Sequence, residues 1–404
     1  MIWTIKKACY RSFQTIFKYT AGKIKYPDQE VMTGSDSLSC LYKLLKNNSI
    51  DNVLIVTTKS ILKLDVMNCM LKNFENNNIK YTIFKEFSPN PTVKDVDNGY
   101  KVLIENGCTG IIVIGGGSAL DCAKIIGIKY TNNNKSCKQL RNMISIKHHL
   151  PFFVAAPTTA GSGSESTVAA VISDHENNAK YPINHPFLRP KYVVLDPKLT
   201  IGLPAKMTST TGTDALTHAL EAYIGLTGTS YTNKLALDAC KLIFENLEKA
   251  YEDGSNLEAR SNMLMASNYA GNAFTIALVG YVHSISHAVS ALYNVPHGLA
   301  NAIILPHVLD YYGSSIYKKL AEVARFSNIA DNSKSDKELA EIVIQKIRDM
   351  NKNMDIPETI PEIQRKDIPI IVSKALKEAN PLYPVPKLMN EEDCSKVVKE
   401  LLIN

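Results

Sequence analysis

The chain has 404 residues, 45% of them hydrophobic and 21% charged, with a formal net charge of +6. These are globular proportions, and the length allows two domains with cores of their own. The lysines are spread along the chain rather than clustered, which argues against nucleic acid as a partner, and no uncharged apolar run reaches the ~18 residues of a membrane span.

In chain order, Met1 to Pro27 comes first. It contains no acid, several lysines, and apolar residues at Ile5, Cys9, Phe13, Ile16 and Phe17. A transit peptide or a membrane-surface helix has this pattern. So does a helix packed on the body with its lysines toward water. The scarcity of arginine and the lack of a cleavage-like site favour the packed helix.

From about residue 50, β-branched runs alternate with helical stretches. The runs are Asn52 to Thr57, Ile79 to Phe84, Thr109 to Ile114, Pro151 to Ala156 and Tyr192 to Asp196. Ile111 to Ile114 is continuously apolar, as in a strand covered on both faces of a parallel sheet. The alternation predicts a Rossmann-like parallel α/β domain over residues 1–203, with 1–27 as an extension. Short asparagine runs at Asn76 to Asn78 and Asn132 to Asn134 read as loops.

Two turns in this half carry chemistry. Ile114 leads into Gly115-Gly116-Gly117-Ser118-Ala119-Leu120-Asp121, where a strand ends and a helix begins. Glycines let the backbone approach a phosphate, and helix N-terminal N–H groups point at it. The motif is neither G-x-G-x-x-G nor a P-loop, and a plain turn with Ser118 as N-cap is the simpler alternative. Ala156 to Glu165 forms a second small-residue turn after the next strand. Ligands of open parallel sheets bind beyond such strand ends.

After Pro204 the β-runs stop, and helical patterns rich in Ala, Leu and Lys predict an all-helical domain over 204–404. In Thr211 to Ala222, Asp214 and His218 stand four apart, so on a helix they share one face. His283 and His287 repeat the spacing, and His297 follows between Pro296 and Gly298. One such pair is more often a surface pair or a hydrogen-bonded core histidine. Two pairs plus a third histidine, among Ser, Ala and Gly, point to a divalent metal held by a carboxylate and imidazoles.

Together these motifs resemble the iron-containing (group III) alcohol dehydrogenase family, from about residue 25 to the C-terminus. The resemblance rests on Gly115-Gly116-Gly117-Ser118-x-x-Asp121-x-x-Lys124, Pro157 to Glu165, Asp196-Pro197, Gly212 to Ala222, and His283-x-x-x-His287 through Pro296-His297-Gly298. It implies a dinucleotide-binding domain followed by a metal-binding helical one. It implies Asp214, His218, His283 and His297 as metal ligands, with His287 near the substrate as the catalytic group. It implies Asn90, Gly116, Gly117, Ser118, Asp121, Thr158, Thr159, Ser162 and Lys180 around the cofactor. The expected metal is Fe²⁺, with Zn²⁺ suited to the same ligands.

The chain departs from the family pattern in three places. Thr58, followed by Lys59, stands where a carboxylate often receives the adenine ribose, so NADP is favoured over NAD. Ser166-Thr167 differs from the common Val-Thr. The N-terminal extension is longer than in many members.

The expected reaction is hydride transfer between a primary alcohol or aldehyde and NAD(P), without identifying the alcohol. One rival is a metal-dependent lyase of the dehydroquinate synthase type, which needs basic residues that are missing around His283 to His297. Another is a non-catalytic nucleotide-binding scaffold, which has no use for an open metal site. Eight scattered cysteines without C-x-x-C suggest free thiols and a cytoplasmic setting. A homodimer is the default assembly.

Overall fold

The computed structural model describes residues 2–21, 26–176 and 179–403. By contacts the chain divides into two units: Lys25–Leu203 with Ser255–Leu264, and Met1–Ile24 with Pro204–Gly254 and Met265–Asn404. The sequence reading attached the N-terminal extension to the α/β domain. The contacts instead place its helix, α1 (Ile2–Ala21), with the helical unit.

The α/β unit contains β1 (Glu30–Thr33), α2 (Leu41–Asn47), β2 (Asn52–Val56), α3 (Asp65–Asn76), β3 (Lys80–Phe84), α4 (Val93–Glu105), β4 (Gly110–Gly115), α5 (Gly117–Thr131), α6 (Cys137–Leu140), β5 (Phe152–Pro157), β6 (Ala169–Asp174), β7 (Ala179–Asn184) and β8 (Tyr192–Leu195). Six of the strands form a sheet in the order β1-β8-β5-β4-β2-β3, parallel throughout. Its alternating residues serve two cores. Val53, Ile55, Ile112 and Ile114 face α2 and α3, where Leu41, Leu45, Met67 and Phe74 are buried. Leu54, Val56, Ile111 and Val113 face α4 and α5, where Val96, Leu103, Leu120 and Ile125 are buried. Burial of both faces explains why these strands read as continuous apolar runs. β6 and β7 form a separate antiparallel pair.

The asparagine loops are tight turns. Asn78, Asn133 and Asn134 adopt positive φ, a conformation asparagine tolerates better than most residues.

Beyond Pro204 the described elements are helical: α7 (Ala205–Ile224), α8 (Ser230–Glu252), α9 (Leu257–Ala277), α10 (Tyr281–Tyr293), α11 (His297–Tyr312), α12 (Tyr317–Phe326), α13 (Asp336–Asn353), α14 (Ile368–Ala379) and α15 (Glu391–Glu400). In the same unit, α1 docks through polar groups. Arg11 donates to the carbonyls of Val385 and Pro386, and buried Gln14 donates to those of Pro381 and Tyr383. The proline-rich segment has carbonyls to satisfy, and these two side chains reach them. Of its apolar residues, Phe17 is partly buried, while Ile5 and Ile16 are exposed, at 58% and 63%. No single helix among the described residues is long and apolar enough to cross a membrane.

Candidate functional site

In the α/β unit, the glycine turn and the small-residue turn lie together at the carboxyl ends of β4 and β5. The Thr158 amide donates to the Gly115 carbonyl at 3.1 Å. A Cβ on Gly117 would come within 3.3 Å of the Ser162 hydroxyl, and one on Gly116 within 3.7 Å of Thr159. Gly116, not Ser118, is the N-cap of α5. The Ser118 hydroxyl instead donates to the Pro89 carbonyl, which ties in the loop carrying exposed Asn90. The structure therefore gathers Gly116, Gly117, Ser118, Thr158, Thr159 and Ser162, with Asn90 beside them.

Asp121 and Lys124 brace the second turn from α5. Asp121 accepts from the Ser164 hydroxyl and the Val171 amide, each at 3.0 Å. The fully buried Lys124 ammonium donates to the carbonyls of Ser164, Thr167 and Ala169 and to the Thr167 hydroxyl. Burial pulls that amine down to about 8, against the charges of Asp121 and Glu165. Thr58 follows β2 and is half-buried, with its hydroxyl 3.0 Å from that of Ser60. Exposed Lys59 lies 3.5 Å from Glu86. Lys180 belongs to β7, but its side chain lies outside the described residues.

In the helical unit, Asp214 and His218 lie on α7, His283 and His287 on α10, and His297 is the first residue of α11. One donor atom each from Asp214, His283 and His297 falls within 4.8 Å of the others. Asp214 Oδ1 is 3.9 Å from His283 Nε2 and 3.6 Å from His297 Nε2. His218 stands beside this group: its ring stacks on His283 at 4.5 Å and on Phe274 at 4.1 Å between centroids. The approach of α11 to α7 depends on Gly298, where a Cβ would lie 2.6 Å from the Thr210 carbonyl oxygen.

A divalent metal suits this donor set. Asp214 is buried, with no Lys or Arg at ion-pair distance among the described residues. His283 cannot supply the missing cation, because burial, reinforced by the neighbouring histidines, holds its pKa well below the usual value. A buried carboxylate without a cation beside it is costly, and a divalent ion between it and the imidazoles would remove that cost. Carboxylate and imidazole donors fit Fe²⁺ and Zn²⁺ alike.

Three further residues surround the group. Asn301, one turn after His297, points its Nδ2 at Asp214 Oδ1 (2.6 Å), His297 Nε2 (3.1 Å) and His283 Nε2 (3.2 Å). Glu221, on the Asp214–His218 face of α7, lies 2.6 Å from His283 Nδ1. Burial raises the pKa of its carboxyl, while the backbone donors of Gly280 and Val282 act in the opposite direction. Glu378, on α14, is 2.7 Å from His287 Nδ1 and also accepts from the Tyr383 hydroxyl. His287 itself is exposed, its ring 5.1 Å from that of His297. Helical spacing signals Asn301 and Glu221. No local pattern signals Glu378, which is 91 residues from its histidine.

Comparison with known proteins covers both units. Residues 28–197 match the family model "Iron-containing alcohol dehydrogenase", and 208–402 match "Fe-containing alcohol dehydrogenase family, C-terminal". A solved 1,3-propanediol oxidoreductase is 33% identical with a TM-score of 0.88, covering 93% of this chain and 99% of its own. An NAD-dependent methanol dehydrogenase from Bacillus methanolicus is 32% identical over 89% of this chain and 94% of its own. An NADPH-dependent butanol dehydrogenase from Clostridium saccharobutylicum is 30% identical over 91% and 95%.

Proposed function

The chain belongs to the iron-containing alcohol dehydrogenase family and acts as an alcohol dehydrogenase; we propose that it interconverts a primary alcohol and its aldehyde, using NADP(H) in preference to NAD(H) and one divalent metal ion, Fe²⁺ before Zn²⁺. The observation that carries this reading is the convergence of Asp214, His283 and His297 within 4.8 Å. These three residues, with His218 stacked beside them on His283, would hold the ion. When bound, it would supply Lewis-acid polarisation of the substrate oxygen.

The chain's own residues do the rest. Gly116, Gly117 and the start of α5 offer backbone N–H groups to a pyrophosphate, and Asp121 and Lys124 keep the second turn beside them. The His287–Glu378 pair is fitted to take a proton from a substrate hydroxyl and pass it outward: Glu378 receives Nδ1–H, leaving Nε2 to accept. The NADP preference is supported by Thr58, whose hydroxyl replaces a carboxylate that would repel a 2′-phosphate. Lys59 must exchange Glu86 for the phosphate to contribute. Free thiols among the described cysteines support a cytoplasmic location, and a homodimer is the assembly to test by sedimentation.

The test is oxidation of NADPH and NADH with a panel of short aldehydes, with added Fe²⁺ or Zn²⁺. The reading predicts metal-dependent turnover and a kcat/KM roughly ten- to a hundredfold higher with NADPH, the range of one charge-assisted contact. Thr58→Asp is expected to reverse that preference. Equal or better use of NADH by the unmodified chain would overturn the cofactor assignment, and no turnover with either cofactor would overturn the proposed reaction.

A further inference from the structure

Glu221 stands one turn after His218 on α7, yet its contacts are with the start of α10. Its Oε1 accepts the Val282 amide and its Oε2 the Gly280 amide, each at 2.8 Å. Both amides lie in the first turn of α10, where a helix has no partners of its own to offer. The approach requires glycine at 280, since a Cβ there would lie 2.8 Å from Glu221 Oε1. The same Oε2 is 2.6 Å from His283 Nδ1. The opposite ring nitrogen, Nε2, faces Asp214 Oδ1 at 3.9 Å. Glu221 is 3% exposed and His283 2% exposed, so water does not compete for these contacts.

An imidazole can present a lone pair at only one nitrogen while the other carries hydrogen, and the hydrogen bond at one nitrogen selects the state of the other. Two backbone donors already point at the two Glu221 oxygens. Burial works against the charged form of Glu221, but a backbone donor at each oxygen favours the carboxylate, and a carboxylate accepts a third hydrogen, from His283 Nδ1, rather than giving one. We propose that Glu221 is a positioning residue that fixes His283 with hydrogen on Nδ1, turns the Nε2 lone pair toward Asp214 and His297, and holds α7 and α10 in the relation the donor set needs. The inference rests on the metal reading of the same site. It adds a residue outside the ligand set that sets affinity for the ion.

The test uses the full chain with ¹⁵N-labelled histidine, metal-free, with His283 assigned by comparison with His283→Ala. The expected spectrum has His283 protonated at Nδ1 and bare at Nε2. Zn²⁺ affinity, measured by competition with a chelator, should fall roughly 10- to 100-fold in Glu221→Gln, which keeps the size of the side chain but removes its charge. A His283 protonated at Nε2 in the unmodified chain, or a folded Glu221→Gln with unchanged Zn²⁺ affinity, would overturn the proposal. If that variant does not fold, the spectrum of the unmodified chain decides alone. Failure of the unmodified chain to bind Zn²⁺ would instead sink the metal reading, while the tautomer would still be read independently.

Discussion

At the residue scale, the site was legible where chemistry follows local spacing. Asp214 and His218, and His283 and His287, were visible because i,i+4 pairs share a helix face, and the structure buries Asp214, His218 and His283. What each histidine faces was not legible, because that depends on residues distant in the chain. His287 shows this best. Its partner Glu378 belongs to another helix, and the pair stands at the open side of the cluster with the His287 side chain 44% exposed. A histidine held at Nδ1 by a carboxylate is suited to move a proton at its other nitrogen. His287→Ala is therefore expected to retain metal and to lose kcat by about 10²-fold, with Glu378→Gln lowering kcat in the same direction. Metal analysis and steady-state rates on the same preparations check this. Metal loss from His287→Ala would make it a ligand rather than a proton carrier.

At the element scale, the sheet and helices followed from periodicity, and the misses have physical causes. The central strands were readable because both faces are buried. β1 was not, because its residues are mostly exposed and its pairing partner, β8, lies some 160 residues away, as the Glu30–Tyr192 register shows. α1 packs on the body with its lysines exposed, as expected, but its docking through Arg11 and Gln14 onto carbonyls of the proline-rich segment was not legible, because those acceptors lie some 370 residues away. Ser118 has the side-chain chemistry of a cap, but its hydroxyl reaches the Pro89 carbonyl and Gly116 takes the N-cap position.

The packing of α11 on α7 makes an element-level prediction. His297 opens α11, and Gly298 follows it against the backbone of α7. Because the obstructing atom is a backbone carbonyl, it cannot swing aside as a side chain would. Gly298→Ala should therefore cost about 1–3 kcal/mol, the usual penalty of overpacking, and weaken metal binding by moving His297. Thermal unfolding and a metal titration of the variant test this. A variant with unchanged Tm and metal affinity would show that the helices separate without cost.

At the scale of the whole molecule, the change from alternating strands and helices to helices alone was visible near Pro204, and the family motifs fell in both parts. The glycine and small-residue turns belong to the α/β unit and the carboxylate–imidazole group to the helical one, so the family motifs fall in both units. Composition showed neither the tie between α1 and the C-terminal segment nor the assignment of Ser255–Leu264 to the α/β unit, because both come from contacts far apart in sequence. The central claim is that one divalent ion is held by the helical unit through Asp214, His283 and His297. Its most direct test is elemental analysis of the anaerobically purified chain after loading with Fe²⁺ and desalting, beside Asp214→Ala and His283→Ala. The account predicts one ion per chain in the unmodified protein and little in either variant, with both variants still folded. Full occupancy in His283→Ala, or no retained ion in the unmodified chain, would contradict it.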